Sequence, residues 1–180
     1  MELRKVTQEE LKEVLRLHEL LLESEEKEGE RANLSYCDLT NANLSYCDLR
    51  YADLTNANLS YCDLRYADLR DANLYKTNLF KTNLTNTNLS NANLRGADLT
   101  KADLYKTNLF YAKVDNMIGL INIGNENRTV YYFYKEDRVI CGCFDNTLKE
   151  FKNAVKEKYG EDYGSYAIAV EMFEKMKDKN

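Results

Sequence analysis

No stretch of the 180 residues approaches the roughly 18 uninterrupted apolar residues that a membrane span needs. The opening MELRKVTQEE also lacks the apolar run of a secretory signal, so a cytoplasmic protein without a membrane partner is expected. Histidine occurs once, at His18. A Gly-rich phosphate loop, HExxH and GxSxG are missing too, which removes the usual signatures of nucleotide, zinc-peptidase and serine-hydrolase chemistry. The cysteines are odd in number (Cys37, Cys47, Cys62, Cys141, Cys143) and have no CxxC...CxxC spacing; they read as buried free thiols rather than zinc ligands. A net charge of -5 and a pI near 5.1 give no support to a non-specific nucleic-acid or anionic-membrane binder. The expectation is a protein that is not an enzyme and carries no cofactor and no metal.

What is present is a five-residue period. Leucine recurs without a slip at 34, 39, 44, 49, 54, 59, 64, 69, 74, 79, 84, 89, 94, 99, 104 and 109, and Val114 closes the series. Two places before each stands Ala, Cys or Thr, and one place before it Asn or Asp, until Lys113. A five-residue step on an α-helix turns about 140°, which would smear the leucines around the cylinder. On a flat strand an odd step would send them to alternate faces. The remaining path turns within every five residues and returns each leucine to the inside, and Asn and Asp tolerate such turns. Units of fixed period bury their apolar faces by stacking on their neighbours.

Units such as ANLSY, ADLRD, ANLRG and ADLTK resemble the pentapeptide-repeat family, over residues 32–116. The resemblance implies an all-β solenoid, a right-handed quadrilateral β-helix with four pentapeptides per coil. Seventeen units then make about four coils, with the leucine and the small residue inward and the other three outward. Leu34, Leu54, Leu74, Leu94 and Val114 form one core ladder in this reading. Thr77, Thr82, Thr87 and Thr107 are each expected to bond a coil carbonyl, because an unpaired buried hydroxyl is costly.

At four units per coil, residues twenty apart share a face. Asp48, Arg50, Asp68 and Arg70 then form a lattice of alternating charge, extended by Tyr51, which is either a solvated surface or a recognition patch. The related segments LYKTNLFKTNL and LYKTNLFYAKV place Tyr75, Phe80, Tyr105 and Phe110 outward. Such aromatics mark a contact site or a place covered by a terminal segment. Lys76, Lys81, Lys101 and Lys106 interleave with them, but residues 31–116 hold ten Lys and Arg against nine Asp and Glu, which argues against nucleic acid.

Residues 1–31 read as an N-terminal capping helix: Thr7-Gln8-Glu9-Glu10 has the form of a capping box, and Leu11, Val14, Leu15, His18, Leu21 and Leu22 follow at helical spacing to about residue 28. The first thirty residues carry ten acids and five bases. The single His18 reads as packing. Residues 117–180 read as a strand and helix appendage that caps the last coil or dimerises. Its strands are MIGLINI, TVYYFY and RVICGCF, with turns at Gly124-Asn125 and Lys135-Glu136-Asp137; its helices start at the capping box of Thr147 to Glu150 and near Tyr163, with a break at Gly160. The HELLLES and ICGCF flanks look similar to those of bacterial and phage-related members of the family.

For function the leading expectation is a rigid scaffold or protein-binding solenoid with an unidentified protein partner. The alternative is drawn from the resemblance: one branch of the family mimics DNA and binds type II topoisomerase, which calls for a strongly negative rod. A third class places a small enzyme in residues 117–180, where Cys141-Gly142-Cys143 tempts a redox reading; a redox pair normally has two intervening residues.

Overall fold

The computed structural model describes residues 2–25, 27–115, 117–123, 128–134, 137–141, 144–160 and 165–177. The chain divides into two compact units, Met1–Asp115 and Asn116–Asn180.

The first unit contains β1 (Arg4–Lys5), α1 (Gln8–Glu23), β2 (Cys37–Asp38) and the repeats. Parallel bridges join residues twenty apart: Asn33 to Asp53, Asp53 to Asn73, Asn73 to Asn93 and Asn93 to Lys113, with the same offset along three further columns. Each twenty residues thus form one level of a stack. The four columns carry Leu34, Leu54, Leu74, Leu94; then Leu39, Leu59, Leu79, Leu99; then Leu44, Leu64, Leu84, Leu104; then Leu49, Leu69, Leu89, Leu109. All sixteen leucines are buried, most with no exposure at all. Val114 is only half-buried; among the described residues the ladder ends beside it, at Lys113.

Among the described repeats only Cys37–Asp38 forms more than a single-residue bridge, so the β content is lower than the sequence suggests. The rest of each unit is spent on turning. The amide three residues after each leucine donates back to that leucine's carbonyl, as Ala57 does to Leu54 at 3.0 Å. The corner residue, two places after the leucine, lies in the left-handed region at all sixteen positions from Tyr36 to Tyr111; φ is between 54° and 63° in fifteen of them and 70° at Gly96. A positive φ at the third place is the type II arrangement.

Asn and Asp do not occupy those corners by rule. Their main contribution is one step earlier, before each leucine, where the side-chain oxygen accepts the amide two residues on, as Asn83 does from Thr85 at 3.0 Å and Asp98 from Thr100 at 2.9 Å. This closes an Asx turn around the leucine. The corners themselves are Tyr, Lys, Asn, Asp or Gly, and an L-residue there costs about 1–2 kcal/mol that the ladder must offset.

The buried threonines bond as expected. The Thr77, Thr82, Thr87 and Thr107 hydroxyls donate to the Leu54, Leu59, Leu64 and Leu84 carbonyls at 2.7, 2.6, 2.6 and 2.7 Å, each tying a turn to the level before it. Thr82→Val keeps the volume and removes one such bond. A loss of about 1–2 kcal/mol is expected in a denaturant melt, with the burial pattern unchanged.

The capping box of α1 is formed, with Thr7 as N-cap and Glu10 returning the bond. The helix stops at Glu23 rather than near residue 28. The Ser24 hydroxyl donates to the Glu28 carbonyl and accepts the Glu28 amide, and Gly29 at φ 89° turns the chain back so that the Glu30 amide donates to the Leu17 carbonyl. A Cβ at Gly29 would lie 2.3 Å from that Leu17 carbonyl oxygen. β1 pairs in parallel with β2, Arg4 opposite Cys37, and so takes the ladder place one level before it. His18 of α1 is fully buried, and its Nδ1 accepts the Ala32 amide at 3.2 Å.

The second unit is an antiparallel meander of β3 (Met117–Ile123), β4 (Arg128–Phe133), β5 (Arg138–Cys141) and β6 (Phe144–Asn146), followed by α2 (Leu148–Tyr159) and α3 (Ser165–Lys177). RVICGCF is not one strand: Cys141 pairs with Phe144, so the chain reverses between them and β6 returns along β5. Gly142 and Cys143, the Gly124-Asn125 turn, Lys135-Glu136 and Tyr163 lie outside the described residues. The Thr147 capping box is formed, and Gly160 caps α2 at φ 81°. Val130, Tyr132, Val139, Phe151, Val155, Val170 and Phe173 make this unit's core.

Candidate interaction surface

The register of the ladder sets which outward side chains meet. Asp48, Arg50, Asp68 and Arg70 lie on the fourth column in successive levels. Each arginine grips the aspartate two residues before it through two nitrogens, Arg50 to Asp48 at 2.7 Å and Arg70 to Asp68 at 2.6 Å, while the link between levels, Arg50 to Asp68, is 3.9 Å. Arg65 holds Asp63 in the same way on the third column, at 2.6 Å. Hydrogen bonds from Arg65 are the main reason that the Asp63 carboxyl lies below its ordinary pKa. At Asp48 burial pushes the pKa up, and the Arg50 hydrogen bonds outweigh it. Paired in this way, Asp48 and Asp63 are poor proton donors.

Of the other sequence-derived residues, Tyr51 occupies the corner beside the fourth column, and Phe110 belongs to that column two levels beyond Arg70. Tyr75, Phe80 and Tyr105 fall on the first, second and third columns. The nine residues therefore do not form one surface. Leu34, Leu54, Leu74 and Leu94 stack as one buried column.

The period of twenty brings together residues that a reading of single units passes over. Tyr46 and Tyr66, on one corner, stack with ring centroids 4.9 Å apart and planes within 6°, and Tyr46 is 73% exposed. On the next corner Tyr61 meets Phe80 edge to face at 5.7 Å. The Lys81 ammonium lies 5.1 Å from the Tyr61 ring centre and 5.3 Å from that of Phe80, and Lys101 lies 5.9 Å from that of Phe80. Lys76 and Lys106 sit over their preceding tyrosines, each at 5.1 Å. The signal was in the sequence as the spacing 46/66 and 61/81/101.

Cys37, Cys47 and Cys62 occupy different columns. Burial pushes the Cys62 thiol up to about 12 and raises that of Cys47, with Glu19 adding to the latter, so neither is a ready nucleophile. Cys141 is buried in the second unit's core. Among the described residues no group of three His, Cys, Asp or Glu is placed to hold a metal, and no helix is long and apolar enough to cross a membrane.

A family model described as pentapeptide repeats matches in eight copies, over residues 30–60, 37–75, 52–89 and 77–110. A pentapeptide repeat protein from Nostoc Pcc 7120 is 30% identical over 56% of this chain and 74% of its own, with a TM-score of 0.38. The chain belongs to the pentapeptide repeat family.

Pentapeptide repeat proteins fold as right-handed quadrilateral β-helices and are generally non-catalytic. This pentapeptide repeat protein is also similar to the Rfr23 protein of the cyanobacterium Cyanothece 51142, 47% identical over 47% of this chain and 58% of that one, with a TM-score of 0.47. A third similar structure is a pentapeptide repeat protein from the thylakoid lumen of Arabidopsis thaliana, 27% identical over 42% and 52%, with a TM-score of 0.41. The chain thus spans little more than half the length of the Cyanothece and Arabidopsis proteins. No curated protein matches it.

Proposed function

We propose that this protein is a rigid, non-enzymatic scaffold of the cytoplasm that binds a protein partner through the outer side chains of its repeats. In this reading residues 32–116 form a β-helix of about four coils and residues 1–31 cover its first coil. The observation that carries the proposal is the surface chemistry of the repeats. All their aspartates but Asp71, an exposed corner residue, are held by arginines or closed in Asx turns, and exposed tyrosines are aligned by the ladder. Such a surface offers contact area of fixed shape, of the tyrosine and arginine type that anchors interfaces.

Immobilised full-length protein should capture a discrete protein from native cytosol, and fail to do so after exchange of the exposed tyrosines for serine. The competing topoisomerase-mimic reading requires exposed negative charge like that of a DNA duplex. A gyrase supercoiling assay separates the two: unaltered supercoiling and no protection from fluoroquinolone are expected, and inhibition at low micromolar concentration would overturn the scaffold reading. For residues 117–180 the sheet order leaves the seven-residue β3 at an edge, a place where a second chain can pair. We assign dimerisation to that edge; light scattering should then give twice 21.0 kDa.

A further inference from the structure

Eight of the nine cations of the repeats fall into two sets, with Lys113 outside both. Arg50, Arg65, Arg70 and Arg95 each lie within ion-pair distance of an aspartate. Lys76, Lys81, Lys101 and Lys106 have no such carboxylate among the described residues and rest on aromatic rings. The division follows the stack. Residues 1–71 hold sixteen acids and nine bases, whereas residues 72–115 hold six bases and three acids. The later levels are therefore basic on a chain whose net charge is -5.

We propose that the edge formed by Tyr61, Phe80, Lys81 and Lys101, flanked by Lys76 and Lys106, is the docking surface for a short acidic segment of a partner protein, one that brings two or more carboxylates around an apolar side chain. The proposal rests on the scaffold reading and names its binding edge. Tyr61, Lys81 and Lys101 follow one another on one corner in successive levels, with the Phe80 ring beside Lys81, so carboxylates can meet ammonium groups while an apolar side chain packs on Phe80, which is half-buried, and on Tyr61, which is 51% exposed. Asp98 and Asp103 are the acids on the same columns in the later levels. Their Oδ1 atoms accept the Thr100 and Tyr105 amides at 2.9 and 3.0 Å and thereby close turns.

Two features favour an acidic peptide over a nucleic acid. The rings of Tyr61 and Phe80 are crossed at 79° and already faced by lysines, so they give bases no parallel platform. The net negative charge of the chain also opposes a long polyanion at a distance, while a short segment is read locally.

The test uses the full chain and three probes: a fluorescein-labelled peptide of four Glu-Phe-Glu units, the same peptide with lysine for glutamate, and a labelled oligo-dT of similar length. Fluorescence anisotropy should show saturable binding of the acidic peptide alone, weakened at least about fivefold when salt rises from about 50 to 300 mM. The K81E/K101E variant should lose about tenfold or more in affinity with an unchanged thermal melt, and F80S should also bind more weakly, whereas R16Q, at an exposed place on α1, should bind as the parent does. Binding of oligo-dT in place of the peptide, equal binding by K81E/K101E, or salt-sensitive self-association that the same variant abolishes would each overturn the assignment. If the parent and K81E/K101E capture the same cytosolic protein equally well, the scaffold reading stands and this edge falls.

Discussion

Replacing Leu74 by Asp is expected to abolish the cooperative thermal transition of the repeats. Leu74 has no exposure and stands between Leu54 and Leu94 in its column, so a carboxylate there would face leucine on both sides. Burying an unpaired charge costs several kcal/mol even after relaxation, comparable with the whole stability of a typical domain, about 5–15 kcal/mol. Leu74→Ala should leave a folded stack weakened by about 2–5 kcal/mol, since the ladder bonds on either side restrict collapse into the cavity. Circular dichroism melts would check both, and Tyr111→Asp at a 74% exposed corner should melt as the parent does. A normal transition in Leu74→Asp would falsify the inward placement of that column.

Mild acid should loosen α1 before it affects the rest of the first unit. The Nδ1 of His18 accepts the Ala32 amide, so the neutral ring carries its proton on Nε2, which makes no close hydrogen bond among the described residues and has the Arg50 backbone as its nearest acceptor. A second proton would turn Nδ1 into a donor facing another donor. Burial is the main cause of the lowered His18 pKa; Asp48 and the Arg50 backbone oppose it, and the Arg31 and Arg50 charges push it further down. Because the folded value lies below the unfolded one, the unfolded chain takes up the proton first. Stability is therefore full above about pH 6.5 and falls as the pH drops from there towards the folded value.

The paired carboxylates of Asp48 and Asp63, whose values are lowered as well, should contribute a separate loss at still lower pH. Hydrogen exchange of the α1 amides, followed between pH 7 and pH 5, would show the first loss. His18→Met should remove its pH dependence at a constant cost of about 1–3 kcal/mol for the orphaned Ala32 amide. An α1 whose exchange tracks only the intrinsic rate across that range would overturn the argument.

The leucine period is what made the first unit legible. A five-residue spacing fits neither helix nor strand, and the Thr82 to Leu59 bond could be anticipated because a buried hydroxyl must find an acceptor. The corner conformation was not legible. Tyr51, Tyr66 and Lys81 are poor choices for a positive φ, and they stand there because the ladder on either side imposes the geometry. The end of α1 was hidden for a similar reason: the charges of residues 25–28 do not stop a helix, and the stop comes from Ser24 and from the close approach of Gly29 to Leu17. In the second unit RVICGCF has the composition of one strand, and only its pairing with itself shows the reversal. The candidate surface was half legible. Reading at twenty brought Asp48 and Arg50 beside Asp68 and Arg70, but the Tyr46–Tyr66 stack and the gathering of Lys81 and Lys101 around Tyr61 and Phe80 depend on side-chain directions that the spacing alone does not give.

The twenty-residue offset of the bridges also fixes what kinds of insertion the gene can absorb. Adding one pentapeptide between Tyr61 and Phe80 would leave every downstream leucine inward, yet it would move each downstream outer residue to the adjacent column, carrying Phe80 and Lys81 together away from Tyr61. Duplicating a block of twenty would lengthen the stack and return every residue beyond it to its own column. Growth by whole levels preserves a binding edge, and growth by single units creates a new one from the same residues.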